Sequence, residues 1–332
     1  MNSFGTIYRT HVFGESHGNL IGVLIDGCPA GIPLAIDDFK EDLSRRKAGA
    51  SATTSRIEDD IPLIQSGVFN GFTTGAPICI VFENKNIQSK DYDQLKIQPR
   101  PGHADFVAQQ KFHGFNDHRG GGHFSGRLTL SLVAAGVIAK KIHTGIEVTA
   151  KLIEAGGNKN IEEAVALAIK NQDSIGGIVE CIVTGLPVGL GEPFFNSVES
   201  LISHAVFSIP AIKGIEFGSG FSSARMTGSN HNDSIIDASG KTKTNFAGGI
   251  NGGITNGNEL IFRVAVKPPS STPQPQQTLN MESGRVEELM VVGRHDLCIA
   301  LRVPVVVESA VAMVLADLLL VDQIQRQNRS RS

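Results

Sequence analysis

The segment HRGGGHFSGRLTLSLVAAGVIAKKI, residues 118–142, joins a glycine-rich turn to an apolar stretch. Residues 128–142 are rich in Leu and Ala and end near Lys140 and Lys141, a pattern that predicts a helix. The three glycines at 120–122 let backbone N–H groups approach a ligand without interference from a Cβ. A glycine turn before a helix N-terminus favours anion binding, although an ordinary glycine turn would give the same pattern. The spacing is not the GxxxxGK[ST] of a P-loop.

The composition indicates a globular protein with a large core. Of the 332 residues, 41% are hydrophobic, and the net charge of −3 argues against a nucleic-acid coat protein. The four cysteines lie far apart without a CxxC pair, which is typical of a reduced intracellular protein. The N-terminus has no apolar signal segment, and no run approaches the roughly 20 apolar residues that span a bilayer. We therefore expect a soluble cytoplasmic protein.

The order of the predicted elements indicates an α+β fold in one large domain. Strands are predicted at 21–25, 76–82, 176–184, 211–218 and 258–267, and further helices near 37–47, 160–171, 197–207 and 307–324. Strands are many and often adjacent, which differs from the regular βαβ alternation of a doubly wound sheet. Residues 218–257 are predicted to be mostly loop. The domain is expected to cover 1–324, with a frayed tail at 325–332.

Cations and histidines concentrate in polar turns at strand and helix ends. The cations are Arg45, Arg46, Arg100, Arg119, Arg127, Lys267 and Arg294. His17 lies in the turn GESHG and His103 in RPGHAD, and histidine titrates close to neutral pH. An ordinary turn histidine would also explain His17. From these residues alone we infer an enzyme that acts on a phosphorylated and carboxylated small molecule.

Residues 103–123 contain four histidines, which raises the question of a metal site. The chain has no HExxH sequence and no Cys/His spacing typical of zinc. We therefore predict no metal.

Several segments together resemble, in order, the motifs of the chorismate synthase family. They are GESHGNLIGVLIDGCPAGIP (14–33), RPGHAD (100–105), RGGGHFSGR (119–127), AGGINGGI (247–254), KPPSS (267–271) and GRHDLC (293–298). The resemblance extends from residue 4 to about residue 322. It implies an anti-1,4-elimination of phosphate from 5-enolpyruvylshikimate 3-phosphate to give chorismate, in the shikimate pathway of aromatic amino acid biosynthesis. It also implies dependence on reduced FMN without net redox change, a β-α-β sandwich with helices between antiparallel sheets, and a homotetramer.

The resemblance also implies roles for individual residues. His17 corresponds to the histidine that protonates reduced flavin, His103 to the one that protonates the departing phosphate, and Asp296 to the residue that helps deprotonate the substrate through flavin N5. Ser16 and Ser125 match serines implicated in catalysis. The residues matched to substrate binding are Arg45, Arg46, Arg100 and Arg127. Those matched to FMN contacts are His123, Phe124, Ser125, Pro210, Ala211, Gly252, Lys267, Pro268, Pro269, Ser270, Ser271 and Arg294.

The chain departs from the family pattern at three places. HFSG at 123–126 replaces the commoner RSSA, Ala52 stands where many members have a second arginine linked to NADP, and Phe246 replaces a histidine. Arg46 is the residue left for an NADP contact. Two other functions remain open: an NADPH-dependent flavin oxidoreductase and a non-enzymatic polyanion-binding protein. Ala52 and the lack of a Rossmann fingerprint argue against the first, and the paired histidines against the second.

Overall fold

The computed structural model describes residues 2–47, 52–53, 58–85, 92–291 and 296–329. The strands are β1 (Ser3–Phe4), β2 (Arg9–Gly14), β3 (Leu20–Asp26), β4 (Leu63–Ser66), β5 (Val68–Phe69), β6 (Phe72–Thr73), β7 (Ile78–Glu83), β8 (Glu147–Ala155), β9 (Gly177–Thr184), β10 (Ile212–Phe217), β11 (Ile250–Asn251), β12 (Ile254–Thr255), β13 (Leu260–Val266), β14 (Gln276–Leu279) and β15 (Val286–Leu289). The α-helices are α1 (Lys40–Arg46), α2 (Asp93–Ile97), α3 (Asp105–Lys111), α4 (Thr129–Ile142), α5 (Ile161–Asn171), α6 (Val198–Phe207), α7 (Gly228–His231) and α8 (Val303–Arg329). Short 3-10 helices cover Ile36–Phe39, Arg119–Phe124, Gly126–Leu128, Phe194–Asn196, Gly220–Arg225 and Ile299–Arg302.

Two antiparallel sheets form the outer layers. One has the strand order β1-β2-β3-β7-β4 and the other β10-β13-β9-β8. Alternate side chains of β9 are buried, namely Val179, Cys181 and Val183, as the period-two pattern of residues 176–184 predicts. The same alternation buries Leu260, Phe262, Val264 and Val266 of β13. Each sheet therefore turns one apolar face inward.

Helices α4 and α8 fill the space between the two sheets. They pack against each other, with α4 also on β3 and α8 on β8 and β9. Every residue from 129 to 139 in α4 is buried, so this helix has no solvent face in its first three turns. The predicted α+β sandwich, with helices between antiparallel sheets, is confirmed.

Helix α8 is longer than the sequence predicted. It begins at Val303 because Pro304 suits the first turn of a helix, and it continues to Arg329, so residues 325–329 are helical where a frayed tail was expected. The helical stretch Ile299–Gln327 has a mean hydropathy of 2.1 over its most apolar window, long enough to cross a membrane. The prediction that no run reaches this length was therefore wrong. Within the protein, 83% of that window is buried, as in a core helix.

The sequence analysis missed ten of the fifteen described strands, and β8 and β2 are the longest of them. Strand β8 (EVTAKLIEA) contains Glu, Ala and Lys, which are depleted in strands, and it lies at the edge of its sheet, where polar side chains reach water. Strand β2 has an exposed first residue, then the buried Thr10 and four partly buried residues, and it precedes the turn that holds His17. The long loop 218–257 contains α7 and the hairpin β11–β12, with Gly252 in the turn of that hairpin.

The contact between α4 and α8 gives a test of the core. A Cβ built on Gly136 of α4 would stand 2.4 Å from Ser309 Cβ of α8. In an isolated helix, Gly→Ala stabilises by about 1 kcal/mol, whereas overpacking a core costs about 1–3 kcal/mol. We expect Gly136→Ala to lower the free energy of unfolding, measured by urea denaturation. Gly228→Ala in α7 is the control, because no described atom lies within 4 Å of its Cβ position. A stabilised Gly136→Ala would contradict the packing.

Candidate active site

A cavity of about 750 Å³ opens where the motif turns meet. The predicted site residues among its lining are Ser16, Arg46, Arg100, His103, His123, Phe124, Ser125, Arg127, Pro210, Ala211, Lys267, Pro269, Ser270, Ser271 and Asp296. They come from turns, strand ends and helix ends that are as much as 280 positions apart in the sequence. A volume in the range of about 300–1,000 Å³ is typical of small-molecule sites. The fold thus brings most of the predicted residues to one place.

Other predicted residues lie elsewhere. Arg45 is outside the cavity, where its Nη1 and Nη2 donate to Glu308 of α8 at 2.6 and 2.7 Å. Gly252 and Pro268 also lie outside the described lining of the cavity. Arg294 falls outside the described residues.

His17 lies directly behind the cavity wall. It is 5% exposed, and its ring meets the Tyr92 ring edge-on at a centroid distance of 5.0 Å. Gly120, which lines the cavity, lies against His17, because a Cβ built on Gly120 would stand 2.0 Å from His17 Nδ1. Gly120 also has a φ of 59°, so this position requires glycine for both space and backbone conformation. His17 is not among the described lining residues, but its neighbours Ser16, Tyr92 and Gly120 are.

An Asp–His–Arg cluster occupies the turn RPGHAD. Asp105 Oδ1 lies 2.6 Å from His103 Nδ1, and the same carboxylate accepts hydrogen bonds from Arg100 Nε at 2.7 Å and Arg100 Nη2 at 2.9 Å. Arg100 Nη1 donates to Ser271 Oγ at 2.8 Å. A carboxylate only accepts, so the short contact assigns the proton to His103 Nδ1. His103 Nε2 is left to exchange a proton with a ligand.

The ionisation of Asp105 reflects these contacts. Burial by itself raises the pKa of Asp105, but hydrogen bonds from Arg100 and His103 outweigh it and hold the pKa well below its ordinary value. Asp105 is also the first residue of α3, where the helix dipole favours a negative charge. The carboxylate therefore stays charged and keeps the imidazole in one orientation.

A buried cluster of arginines forms another part of the wall. Asp60 Oδ1 lies 2.9 Å from Arg127 Nη1, and Asp60 Oδ2 lies 3.5 Å from Arg46 Nη1. Arg46 Nε also donates to Thr129 Oγ1 at 3.1 Å, and Arg127 Nε donates to Asn84 Oδ1 at 2.6 Å. Both arginine side chains are less than a tenth exposed. One carboxylate therefore sits between two buried guanidinium groups.

Two residues of this wall were missed by sequence reasoning. Asp60 has a φ of 52°, a left-handed conformation that is uncommon outside glycine and that clusters at functional sites. Arg302 lies at the end of Ile299–Arg302, lines the cavity and pairs with Asp296 at 3.1 Å. Burial, followed by the cations Arg302 and Arg127, lowers the pKa of Arg46 to about 9, against the smaller opposing effect of Asp60 and Asp296. A bound anion would relieve this repulsion.

The KPPSS turn adds a second group of cations. Lys267 Nζ donates to Gly102 O at 2.8 Å and to Ser270 Oγ at 2.6 Å, which ties this turn to RPGHAD. Lys213, another lining residue that the sequence analysis did not select, stands close enough to lower the pKa of Lys267, although burial is the larger cause. Two lysines beside a hydroxyl could bind a phosphate group.

The rest of the lining is apolar or held by backbone contacts. Phe124 is 40% exposed, and further apolar lining comes from Leu132, Ile209, Val306 and Met313. Ala211 has a φ of 76°, and its carbonyl accepts from the Lys267 backbone N–H at 2.9 Å. His123 bridges Gly14 O at 2.8 Å and Asn2 Oδ1 at 3.2 Å, so both of its ring nitrogens are engaged. Apolar walls and cationic turns together could hold a flat ring system that carries an anionic tail.

Comparison with known proteins agrees with this geometry. The chorismate synthase family model matches residues 8–320. A chorismate synthase of Chitinophaga pinensis is 67% identical over 330 residues and covers 99% of each chain. The chain belongs to the chorismate synthase family. A second member, from Korarchaeum cryptofilum, is 46% identical over 346 residues, covering 95% of this chain and 96% of its own.

A solved fold supports the same membership. A crystal structure of a chorismate synthase matches with a TM-score of 0.72 and 26% identity, covering 96% of this chain and 93% of that one. The recognition of the family from its motifs is therefore confirmed, and so are the fold class and the assignment to the lyases of the shikimate pathway.

Other chemistry in the described part of the chain is limited. Within residues 2–47, 52–53, 58–85, 92–291 and 296–329, no group of three or more His, Cys, Asp or Glu side chains is placed to hold a metal ion. The four cysteines, all in these ranges, are free thiols.

Ala52, at the family's arginine position, has a φ of 64°, and its carbonyl accepts a hydrogen bond from the Leu297 N–H at 2.9 Å.

The low pKa of Asp105 leads to a pH-dependent prediction. A carboxyl whose folded-state pKa lies below the unfolded value of about 4 adds stability above that value and loses it as pH falls. We therefore expect the difference in free energy of unfolding between the wild type and Asp105→Asn to be constant above about pH 5 and to shrink below about pH 4. Urea unfolding across this range measures it. A difference that does not change with pH would contradict the charged Asp–His–Arg cluster.

Proposed function

We propose that the chain catalyses the anti-1,4-elimination of phosphate from 5-enolpyruvylshikimate 3-phosphate, forming chorismate without net redox change. The observation that carries the proposal is the meeting of buried cations with an Asp-held imidazole in one cavity. A substrate with one phosphate and carboxylate groups needs several cations to hold it, and the departing phosphate needs a proton. This site supplies both. The proposed partner is therefore a small molecule, with no role for nucleic acid or membrane.

The cavity fits FMN as cofactor. The apolar lining around Phe124 suits a flavin ring, and the pair Lys213 and Lys267 suits its phosphate. Ser270 and Ser271 from the same turn, with Pro210 and Ala211, complete the proposed contacts. Reduced FMN, when bound, would supply electron density to the allylic system of the substrate. Positions Gly252, Pro268 and Arg294 remain predicted FMN contacts.

The arginines have two different proposed roles. Arg46 and Arg127 present buried guanidinium groups beside a single aspartate, so an anion gains from both. Arg100 already bonds to Asp105 and Ser271, and its proposed role is to hold His103 in place as well as to attract substrate phosphate. Arg45 remains a predicted substrate residue, although its guanidinium is engaged by Glu308.

Proton transfer is assigned to His103, His17 and Asp296. His103 would donate from Nε2 to the departing phosphate, because Asp105 holds Nδ1. His17 would act on the cofactor from behind Gly120, next to the buried Ser16. Asp296 lines the cavity and would assist deprotonation of the substrate, with Ser125 at the start of the Gly126–Leu128 turn as a further polar contact.

The alternatives receive less support. An NADPH-dependent flavin oxidoreductase would need cations for NADP, but Ala52 stands where many family members have the second arginine linked to NADP. A non-enzymatic polyanion-binding protein would have no need of the Asp105–His103 pair. We propose further that the protein is cytoplasmic and homotetrameric, which rests on family resemblance.

The test of the function is turnover under anaerobic conditions. The purified protein is incubated with chemically reduced FMN and 5-enolpyruvylshikimate 3-phosphate, and chorismate and phosphate are followed together. We expect equal amounts of the two products and no net oxidation of the flavin. A folded, flavin-loaded sample that releases neither product would refute the function. A parallel incubation with NADPH and oxidised FMN tests the oxidoreductase alternative, which predicts net oxidation of NADPH.

The histidines give a sharper prediction. General acid–base groups contribute about 10²–10⁴-fold, so His103→Ala and His17→Ala are each expected to lower kcat by that factor while FMN and substrate still bind. Each variant should also lose one limb of the pH–rate profile. His231→Ala is the control, because this histidine bonds to Ser219 in the loop 218–257, outside the described cavity lining. Near-normal turnover with an unchanged profile would make the histidine concerned structural.

A further inference from the structure

Arg302 occupies a position that the fold alone does not explain. It ends the 3-10 helix Ile299–Arg302 and directly precedes α8. The N-terminus of a long helix is the positive end of its dipole, where a cation is unfavourable. The side chain is also only 17% exposed, so it has left most of its water. A buried cation placed against a helix dipole needs compensating contacts, and these lie in the cavity.

The first contact is to Asp296. Arg302 Nη1 lies 3.1 Å from both carboxylate oxygens of Asp296, whose side chain is 15% exposed. Both residues line the cavity. Asp296 is followed by Leu297 and Cys298, whose backbone N–H groups are bonded to Ala52 O. The main chain after Asp296 is thus anchored by Ala52, while Arg302 holds its carboxylate.

The second contact is to the end of α1. Arg302 Nε donates at 2.8 Å to the carbonyl of Arg46, the last residue of that helix. The last carbonyls of a helix have no partner within it, and an arginine side chain is a common cap for them. Arg46 then extends its own side chain to Thr129 and Asp60. One guanidinium thereby joins the Asp296 carboxylate to the backbone that carries Arg46.

We propose that Arg302 is a positioning residue for the elimination, which orients the Asp296 carboxylate and fixes the base of Arg46. The inference rests on the proposed function, in which Asp296 takes part in substrate deprotonation. It requires the rigid fork of arginine, since Nε and Nη1 point to two different acceptors. A lysine ammonium can reach one acceptor or the other.

A double-mutant cycle tests the coupling to Asp296. The variants are Arg302→Gln, Asp296→Asn and the pair, with kcat and KM measured under anaerobic conditions with reduced FMN. Losing a charge-assisted contact corresponds to about a 10- to 100-fold change. We expect kcat to fall by that factor for Arg302→Gln in the wild-type background and by less than about threefold in the Asp296→Asn background. Any rise in KM, transmitted through Arg46, should appear in both backgrounds.

Two further variants separate positioning from folding. Arg302→Lys keeps the charge, so it should fold and recover part of the lost kcat. It also replaces Arg302→Gln in the cycle if that variant does not fold. Arg326→Gln removes an arginine from the same helix that pairs with Asp322 on the surface, and its kcat should stay within about twofold of wild type.

The outcomes distinguish a failure of the positioning role of Arg302 from a failure of the proposed function. An inactive wild type would refute the proposed function, and the assignment of Arg302 would fall with it. With an active wild type, equal losses of kcat in both backgrounds would overturn the positioning role alone. A normal kcat in Asp296→Asn would overturn it as well, while leaving the elimination itself standing. Strong coupling in kcat supports it.

Discussion

The packing of three arginines against carboxylates on one wall of the cavity is the constraint on which the site depends. Arg46 and Arg127 pair with Asp60, Arg302 pairs with Asp296, and the buried Glu58 lines the same cavity. Buried charges need partners, and the pKa of Arg46 is lowered chiefly by burial and then by the neighbouring cation Arg302. In the proposed function, this wall binds an anionic group of the substrate.

The sandwich makes this arrangement possible because its central helices carry the charged turns at their ends. Arg127 precedes α4, Arg302 precedes α8, and Arg46 ends α1, which packs on both helices. The rigid packing of α4 against α8 therefore fixes the spacing of the three guanidinium groups. In the turn RPGHAD, Asp105 at the start of α3 holds the imidazole of His103.

Much of the fold followed from local pattern, whereas much of the site did not. The Leu/Ala composition predicted α4, and period-two alternation predicted β9 and β13, because burial repeats along one element. Edge strand β8 was missed because it contains Glu, Ala and Lys, which are depleted in strands, and because its burial does not alternate regularly. The turns RPGHAD and RGGGHFSGR indicated His103 and Arg127 as site residues. Asp60 and Arg302 carry no local signal, because their importance lies in partners such as Arg127 and Arg46 that are distant in sequence.

The central claim is that the arginine wall and His103 receive the anions of the substrate. A crystal structure of the protein with FMN and 5-enolpyruvylshikimate 3-phosphate tests it most directly. The account predicts a substrate anion within hydrogen-bond distance of Arg46 and Arg127, and the substrate phosphate beside His103 Nε2. Substrate bound in the cavity with its phosphate and carboxylates away from these groups would contradict it.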